Sequence, residues 1–369
     1  QTVDGDQGIA IERTRLPHVL AALYGVAIVY ASLEPFAPWL PPPSGTPFFL
    51  FAATARFVRY DALLNVLAYL PFGCFLALSA RGGSARRIAI ATLIGAAMSF
   101  AMESLQMYVP PRIASPFDLA TNTVGALLGG LVAMPVMRSP RARRLLYRAR
   151  DRWFLPGHLG DIGLGLLLLW LVAQTNPGIP LFGITFDADA IGPAGTPTIA
   201  PTDAASLLVQ AAGSAFQVIG VGLFVALLLR RHAHAATFVT TLILGALLLK
   251  TIAAASMLKP AAWHTWAKLP ALAGIAVGAL LLRIALTLPR PAQVALCAVA
   301  VLSALGAPLL APESLAGRAP VTLFEWQYGQ LLNYNGLTRT VLFAWPIMTS
   351  IWLFALAGLP AWGKPLDRA

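Results

Sequence analysis

An all-α, polytopic bundle of about ten transmembrane helices is the fold this chain predicts, and three features predict it. Of its 369 residues, 58% are hydrophobic and only 11% charged, with a mean hydropathy of +0.72, a balance outside the range of soluble domains. The apolar residues gather in windows of about 20, the length a helix needs to cross the hydrocarbon core. The basic residues fall in short clusters between those windows, as the positive-inside rule distributes them. The net charge of +11 therefore reads as topology, and nucleic acid is not expected as a partner.

The stretch from Gln1 to Arg15 is polar and lacks a secretory n-region and cleavage pattern, so the first apolar run is expected to be retained as an anchor. Gln1 suggests a start further upstream. The spans then follow at roughly 17–34, 61–80, 87–108, 117–137, 159–176, 204–230, 235–258, 267–288, 291–311 and 339–359. Pro270, Pro291 and many alanines blur the ends of the eighth and ninth. With the N-terminus inside, the inner segments hold Arg13, Arg15, Arg81, Arg86, Arg87, the seven arginines from Arg138 to Arg152, Arg230, Arg231, Arg283, Arg290, Lys364 and Arg368. These are 18 of the 26 Lys and Arg, so both termini are expected in the cytoplasm.

Four units follow: an N-terminal cytoplasmic tail over 1–16, a four-helix membrane domain over 17–137, a basic cytoplasmic linker over 138–158, and a six-helix membrane region over 159–369. The linker core, R-S-P-R-A-R-R-L-L-Y-R-A-R-D-R, reads first as a stop-transfer charge block that fixes topology and second as a binding surface for anionic lipid. On the outer side, the Pro- and aromatic-rich segment from Glu34 to Tyr60 suits the headgroup region. Two long outer loops follow, 177–203 with Asp187, Asp189 and Asp203, and 311–338. Glu325, Gln327, Gln330, Asn333 and Arg339 offer a second outer polar surface. The spacings Gly125-A-L-L-Gly129 and Gly274-I-A-V-Gly278 read as close helix packing. Cys74 and Cys297 sit in apolar runs and read as small hydrophobes. Lys250 reads as a residue that snorkels to the headgroups, with a carboxylate partner on another helix as the alternative.

One polar stretch interrupts this apolar chain. Glu103 and Gln106 share a face near the outer end of the third span, and Asp118 and Asn122 share one at the start of the fourth. Between them Pro110, Pro111 and Pro116 break the helix and make an outer hairpin. Asp61 and Asn65, again four apart, bring a third polar face from the second span. Arg112 is the natural counter-charge, since its guanidinium can grip a carboxylate or phosphate with two hydrogen bonds. Ionisable groups at membrane depth are costly enough to suggest a site. Glu103 and Asp118 are the candidate catalytic acid or base, and Asp61, Asn65, Gln106, Arg112 and Asn122 the candidate ligand-binding residues. The bland alternative is an internal salt-bridge and amide network that holds three helices together.

The pattern N-x5-P-x-G at Asn65, Pro71 and Gly73, followed by E-x2-Q-x5-R-x5-D-x3-N-x2-G-x3-G from Glu103 to Gly129, resembles the VanZ-like family over the first four helices. Family members often carry a second acidic residue where Phe117 stands here. The resemblance implies a multi-pass protein of the bacterial cytoplasmic (inner) membrane linked to the cell envelope, with some members associated with reduced sensitivity to teicoplanin-type glycopeptides. It brings no established reaction. The expected partner is a membrane lipid or lipid-linked envelope glycan whose head group is bound or modified at the outer leaflet. The alternatives are a transporter or lipid flippase that uses the same carboxylates as a proton relay, and a non-catalytic envelope scaffold. No P-loop, dinucleotide fingerprint or metal-ligand cluster stands in the sequence, so no cofactor and no metal are expected.

Overall fold

The computed structural model describes residues 14–34, 36–51, 59–110, 112–177, 204–264, 266–310 and 328–359. Among them the fold is all-α, with one isolated antiparallel bridge between Phe154 and Leu229. The helices are α1 (Leu16–Leu33), α2 (Arg59–Ser79), α3 (Ser84–Gln106), α4 (Pro116–Val132), α5 (Met134–Arg138), α6 (Pro140–Trp153), α7 (Gly157–Gln174), α8 (Ala204–Leu228), α9 (Ala235–Met257), α10 (Leu269–Ala285), α11 (Arg290–Leu310) and α12 (Tyr328–Ala357). The outer loop with Asp187, Asp189 and Asp203, and the segment with Glu325 and Gln327, lie outside the described residues.

All ten expected spans are helices, and eight of them are long and apolar enough to cross a membrane. The eighth and ninth differ: α10 has 17 residues, and the described apolar part of α11 is Arg290–Ser303. Pro270 and Pro291 stand in the first turns of these helices, where a missing N–H costs nothing. At 1.5 Å per residue α10 is roughly 25 Å long, short of a hydrocarbon core of about 30 Å. The basic linker is also more structured than its composition suggests. Ser139 caps α6 by accepting the Ala142 N–H at 3.1 Å, and Pro140 starts it.

Two packing units share α1. In the first, α2 and α4 make close contact because glycine lets their backbones touch. A Cβ on Gly129 would lie 2.0 Å from the Leu70 carbonyl oxygen, and one on Gly73 would lie 2.1 Å from that of Ala126. The small-residue spacing Gly125–Gly129 is thus a packing seam, and Gly274–Gly278 does the same for α10 on the Ala211 and Ala215 carbonyls of α8. In the second unit α8 is the core: 78% of its apolar window is buried, against 22% for α1, α2 and α9. Phe224 of α8 packs edge-on against Trp345 and Trp352 of α12, and the two indole N–H groups donate to the Leu166 and Leu159 carbonyls of α7 at 2.9 and 2.8 Å. Elsewhere large apolar side chains such as Leu93, Leu208 and Phe354 point outward, as a lipid-facing surface requires.

Helix α1 packs on α2 and α3 and also on α7 and α12. At its start, Asp161 of α7 accepts from Thr14 Oγ1 at 2.7 Å and from the Arg15 N–H at 2.6 Å. Asp161 is also paired with Arg150 of α6 at 2.7 Å, and both side chains are buried. At the other end of α1, the Thr340 hydroxyl of α12 donates to Tyr30 at 2.8 Å. Lys250 does not snorkel: it is fully buried, and its Nζ donates to the Asn176 carbonyl at 2.6 Å, just beyond the end of α7. A buried carbonyl beyond a helix end needs a donor, and the lysine supplies one.

Candidate functional site

The polar stretch folds as a hairpin between α3 and α4. Glu103 is buried in the last turn of α3, and its Oε2 accepts the Ser115 N–H at 2.8 Å. Ser115 is also the N-cap of α4, its hydroxyl accepting from the Phe117 N–H at 3.2 Å. A carboxylate from α3 is thereby drawn to the start of α4, where unpaired amides and the helix dipole favour negative charge. Asp118, in that same first turn, lies within electrostatic reach of Asp61 and Asn65 of α2. Glu103 also feels the field of Asp118 and that of Arg112.

Below this rim lies a layer that the sequence reading does not name. Asn122 Nδ2 donates to the buried Ser99 hydroxyl of α3 at 2.9 Å. Tyr69 of α2 stands beside Ser99 and near Glu103. Tyr69 is 4% exposed and Asn122 6%, yet the Tyr69 hydroxyl and Asn122 Oδ1 have no hydrogen-bond partner among the described residues. Leaving such atoms unpaired costs about 1–3 kcal/mol each. A sequence signal for both missed residues exists. Tyr69 continues the spacing of four from Asp61 through Asn65, and Ser99 stands four before Glu103, so each lies on a helix stripe already marked as polar.

Gln106 and Arg112 hold a different element. Gln106 Nε2 donates to the Ser32 carbonyl at 2.9 Å; Arg112 donates from Nε to Glu34 O at 3.0 Å and from Nη2 to Ala31 O at 2.6 Å. Together they satisfy the orphan carbonyls at the end of α1. Arg112 pairs with no carboxylate within salt-bridge distance among the described residues. Burial lowers its pKa and the nearby Glu34 and Glu103 raise it, while the guanidinium remains charged at any physiological pH. Its Nη1 makes no hydrogen bond among the described residues. Arg339 of α12 reaches the field of Tyr30 on the far side of α1. The side chains of Gln330 and Asn333 lie outside the described set.

Three helices therefore bring Asp61, Asn65, Glu103, Asp118 and Asn122 to one end of the first unit. Gln106 and Arg112 tie that end to the end of α1.

Residues 19–138 match the VanZ/LLP1 family model.

The match runs from within α1 to the end of α5 and contains Asp61, Asn65, Tyr69, Ser99, Glu103, Gln106, Arg112, Asp118 and Asn122. The chain is thus a multi-helix membrane protein with a VanZ-like domain at its N-terminal end. Comparison with curated proteins and with solved structures gives no match. Within the VanZ-like motif the residues have separate roles. Gly73, Gly125 and Gly129 permit the α2–α4 approach, Gln106 and Arg112 hold α1, and the acids and amides line the polar end.

Proposed function

We propose that the VanZ-like domain binds, and can modify, the polar head group of a lipid or lipid-linked glycan at the outer leaflet of the bacterial inner membrane, in a role tied to glycopeptide sensitivity. The observation that carries this reading is the pair of buried, unpartnered atoms, Tyr69 OH and Asn122 Oδ1, under a rim of Asp61, Asn65 and Asp118. A head group bearing hydroxyls would donate to Asn122 Oδ1 and to the rim carboxylates, and exchange a hydrogen bond with Tyr69. Arg112 Nη1 would take a phosphate oxygen, so a phosphorylated sugar suits the donor and acceptor set better than a simple ammonium head group. Glu103, withdrawn from water, is the candidate acid or base, with Asp118 at the rim as the second. The basic ends of the helices at the opposite end of the bundle support an outward-facing site.

The test compares wild type with Glu103→Gln, an isosteric change that removes the ionisable proton. The reading expects teicoplanin sensitivity to return to that of a strain lacking the gene, with the variant present in the membrane at unchanged abundance. Loss of the folded protein along with the phenotype would make Glu103 a brace for the α4 start, and wild-type sensitivity at unchanged abundance would likewise overturn its chemical role.

A further inference from the structure

The basic linker contains a surface that the head-group site does not use. On α6, Ala142, Leu145, Leu146, Ala149 and Trp153 recur at i, i+3, i+4, i+7 and i+11 and so form one apolar stripe. Leu145 is 70% exposed and Leu146 52%, so none of the described residues covers the middle of this stripe. Arg141, Arg148 and Arg152, all exposed, run along one flank of it, Arg143 and Arg150 along the other, and Arg144 stands on the face opposite the stripe. A charge block that served only to stop translocation would need neither a helix nor an exposed leucine pair.

Both ends of α6 are pinned at the level where spanning helices end. Its start follows directly on α5 and the end of α4, with Ser139 as the cap. At its far end Arg150 bonds the Gly157 carbonyl at 3.1 Å and Asp161 at 2.7 Å, both in the first turns of α7. The Arg230 N–H then donates to the Trp153 carbonyl and the Leu155 N–H to the Leu228 carbonyl, each at 2.9 Å, tying the same end to the close of α8. The helix, about 21 Å long at 1.5 Å per residue, therefore runs along the basic end of the bundle. An apolar stripe flanked by arginines at that end suits the boundary between hydrocarbon and head groups.

We propose that α6 is an interfacial helix that seats Leu145 and Leu146 in the edge of the bilayer and binds anionic phospholipid through Arg141, Arg148 and Arg152. The charge of the flanks selects an anionic lipid over a zwitterionic one. This site lies at the opposite end of the bundle from the Glu103 cluster and stands or falls independently of it.

The test titrates the purified full chain with phosphatidylglycerol or phosphatidylcholine and reads bound lipid by native mass spectrometry. Each arginine at an anionic surface is worth about fivefold in binding, so joint Arg141→Gln, Arg148→Gln and Arg152→Gln changes should weaken phosphatidylglycerol on the order of a hundredfold. Phosphatidylcholine binding should not move, and the corresponding lysine triple should keep the preference. Unchanged phosphatidylglycerol affinity in the glutamine triple overturns the proposal. A second measurement needs no charge change. In nanodiscs, with Cys74→Ser and Cys297→Ala, Leu145→Cys should react with a membrane-impermeant maleimide at least about tenfold more slowly than Arg144→Cys. Equal rates would put the stripe in water, and a disulfide between two copies through position 145 would assign it to self-association. Either result overturns lipid seating.

Discussion

Tyr69→Phe separates a ligand site from a passive polar brace, because the two readings predict opposite signs of the accompanying effects. The hydroxyl is buried with the residue at 4% exposure and has no hydrogen-bond partner among the described residues, while the ring packs edge-on against Phe72 with centroids 6.2 Å apart. Phenylalanine keeps that ring and deletes only the oxygen. In ligand-free protein the unpaired hydroxyl carries a desolvation cost of about 1–3 kcal/mol, so its removal should leave stability equal or raise it by about 1 kcal/mol. Toward a head group the same oxygen would make one hydrogen bond, with a net value of about 0.5–1.5 kcal/mol, or roughly twofold to twelvefold in affinity. The assay is thermal unfolding followed by tryptophan fluorescence in detergent, paired with native mass spectrometry of lipids retained from the membrane. The reasoning expects an equal or higher midpoint together with less retained ligand. A lower midpoint with unchanged lipid content would refute it, since the hydroxyl would then hold the bundle and nothing else.

The remaining predictions concern the frame around that layer and its counter-charge. Gly129→Ala puts a methyl group 2.0 Å from the Leu70 carbonyl oxygen, so α2 and α4 must separate. A loss of about 3 kcal/mol or more is expected, seen as a lower unfolding midpoint and poor recovery from the membrane. Arg112→Gln removes two charge-assisted bonds to the end of α1 and should cost about 2 kcal/mol. Arg112→Lys should recover less than half of that loss in the same unfolding measurement, because one ammonium does not reproduce the fork that spans Ala31 and Glu34.

Much of the architecture is legible in the sequence because hydropathy acts over whole segments. Windows of about 20 apolar residues announce themselves whatever their neighbours do, and each of the ten expected runs is helical, the fourth as α4 followed by α5. The glycine seams are legible for a related reason, since small residues four apart on an apolar helix have few uses besides close packing. The lengths of α10 and α11 are harder, because proline sets the first turn while alanine signals no boundary. Helix α6 reads first by composition as a charge block, although Ala142, Leu145, Leu146, Ala149 and Trp153 recur with helical spacing inside the arginine run. At the polar end, the stripes on α2, α3 and α4 are visible, but the partners of Arg112 are not. Its main bonds go to backbone carbonyls of α1, which carry no residue-type signature. Lys250 escapes for the same reason, since it donates to the main-chain oxygen of Asn176.

The double loyalty of α1 also sets a timetable. Tyr30 bonds a threonine that follows it by 310 residues, and Thr14 bonds an aspartate 147 residues on. At a synthesis rate of about 5–20 residues per second, the first helix waits roughly 15 to 60 seconds for α12 to leave the ribosome. During that interval the VanZ-like segment can fold on one face of α1 while the other face remains exposed to lipid or to whatever escorts nascent helices. Completion of the molecule is therefore a late docking event between its earliest and latest helices, and a chain cut before α12 would carry an N-terminal helix dressed on one side only.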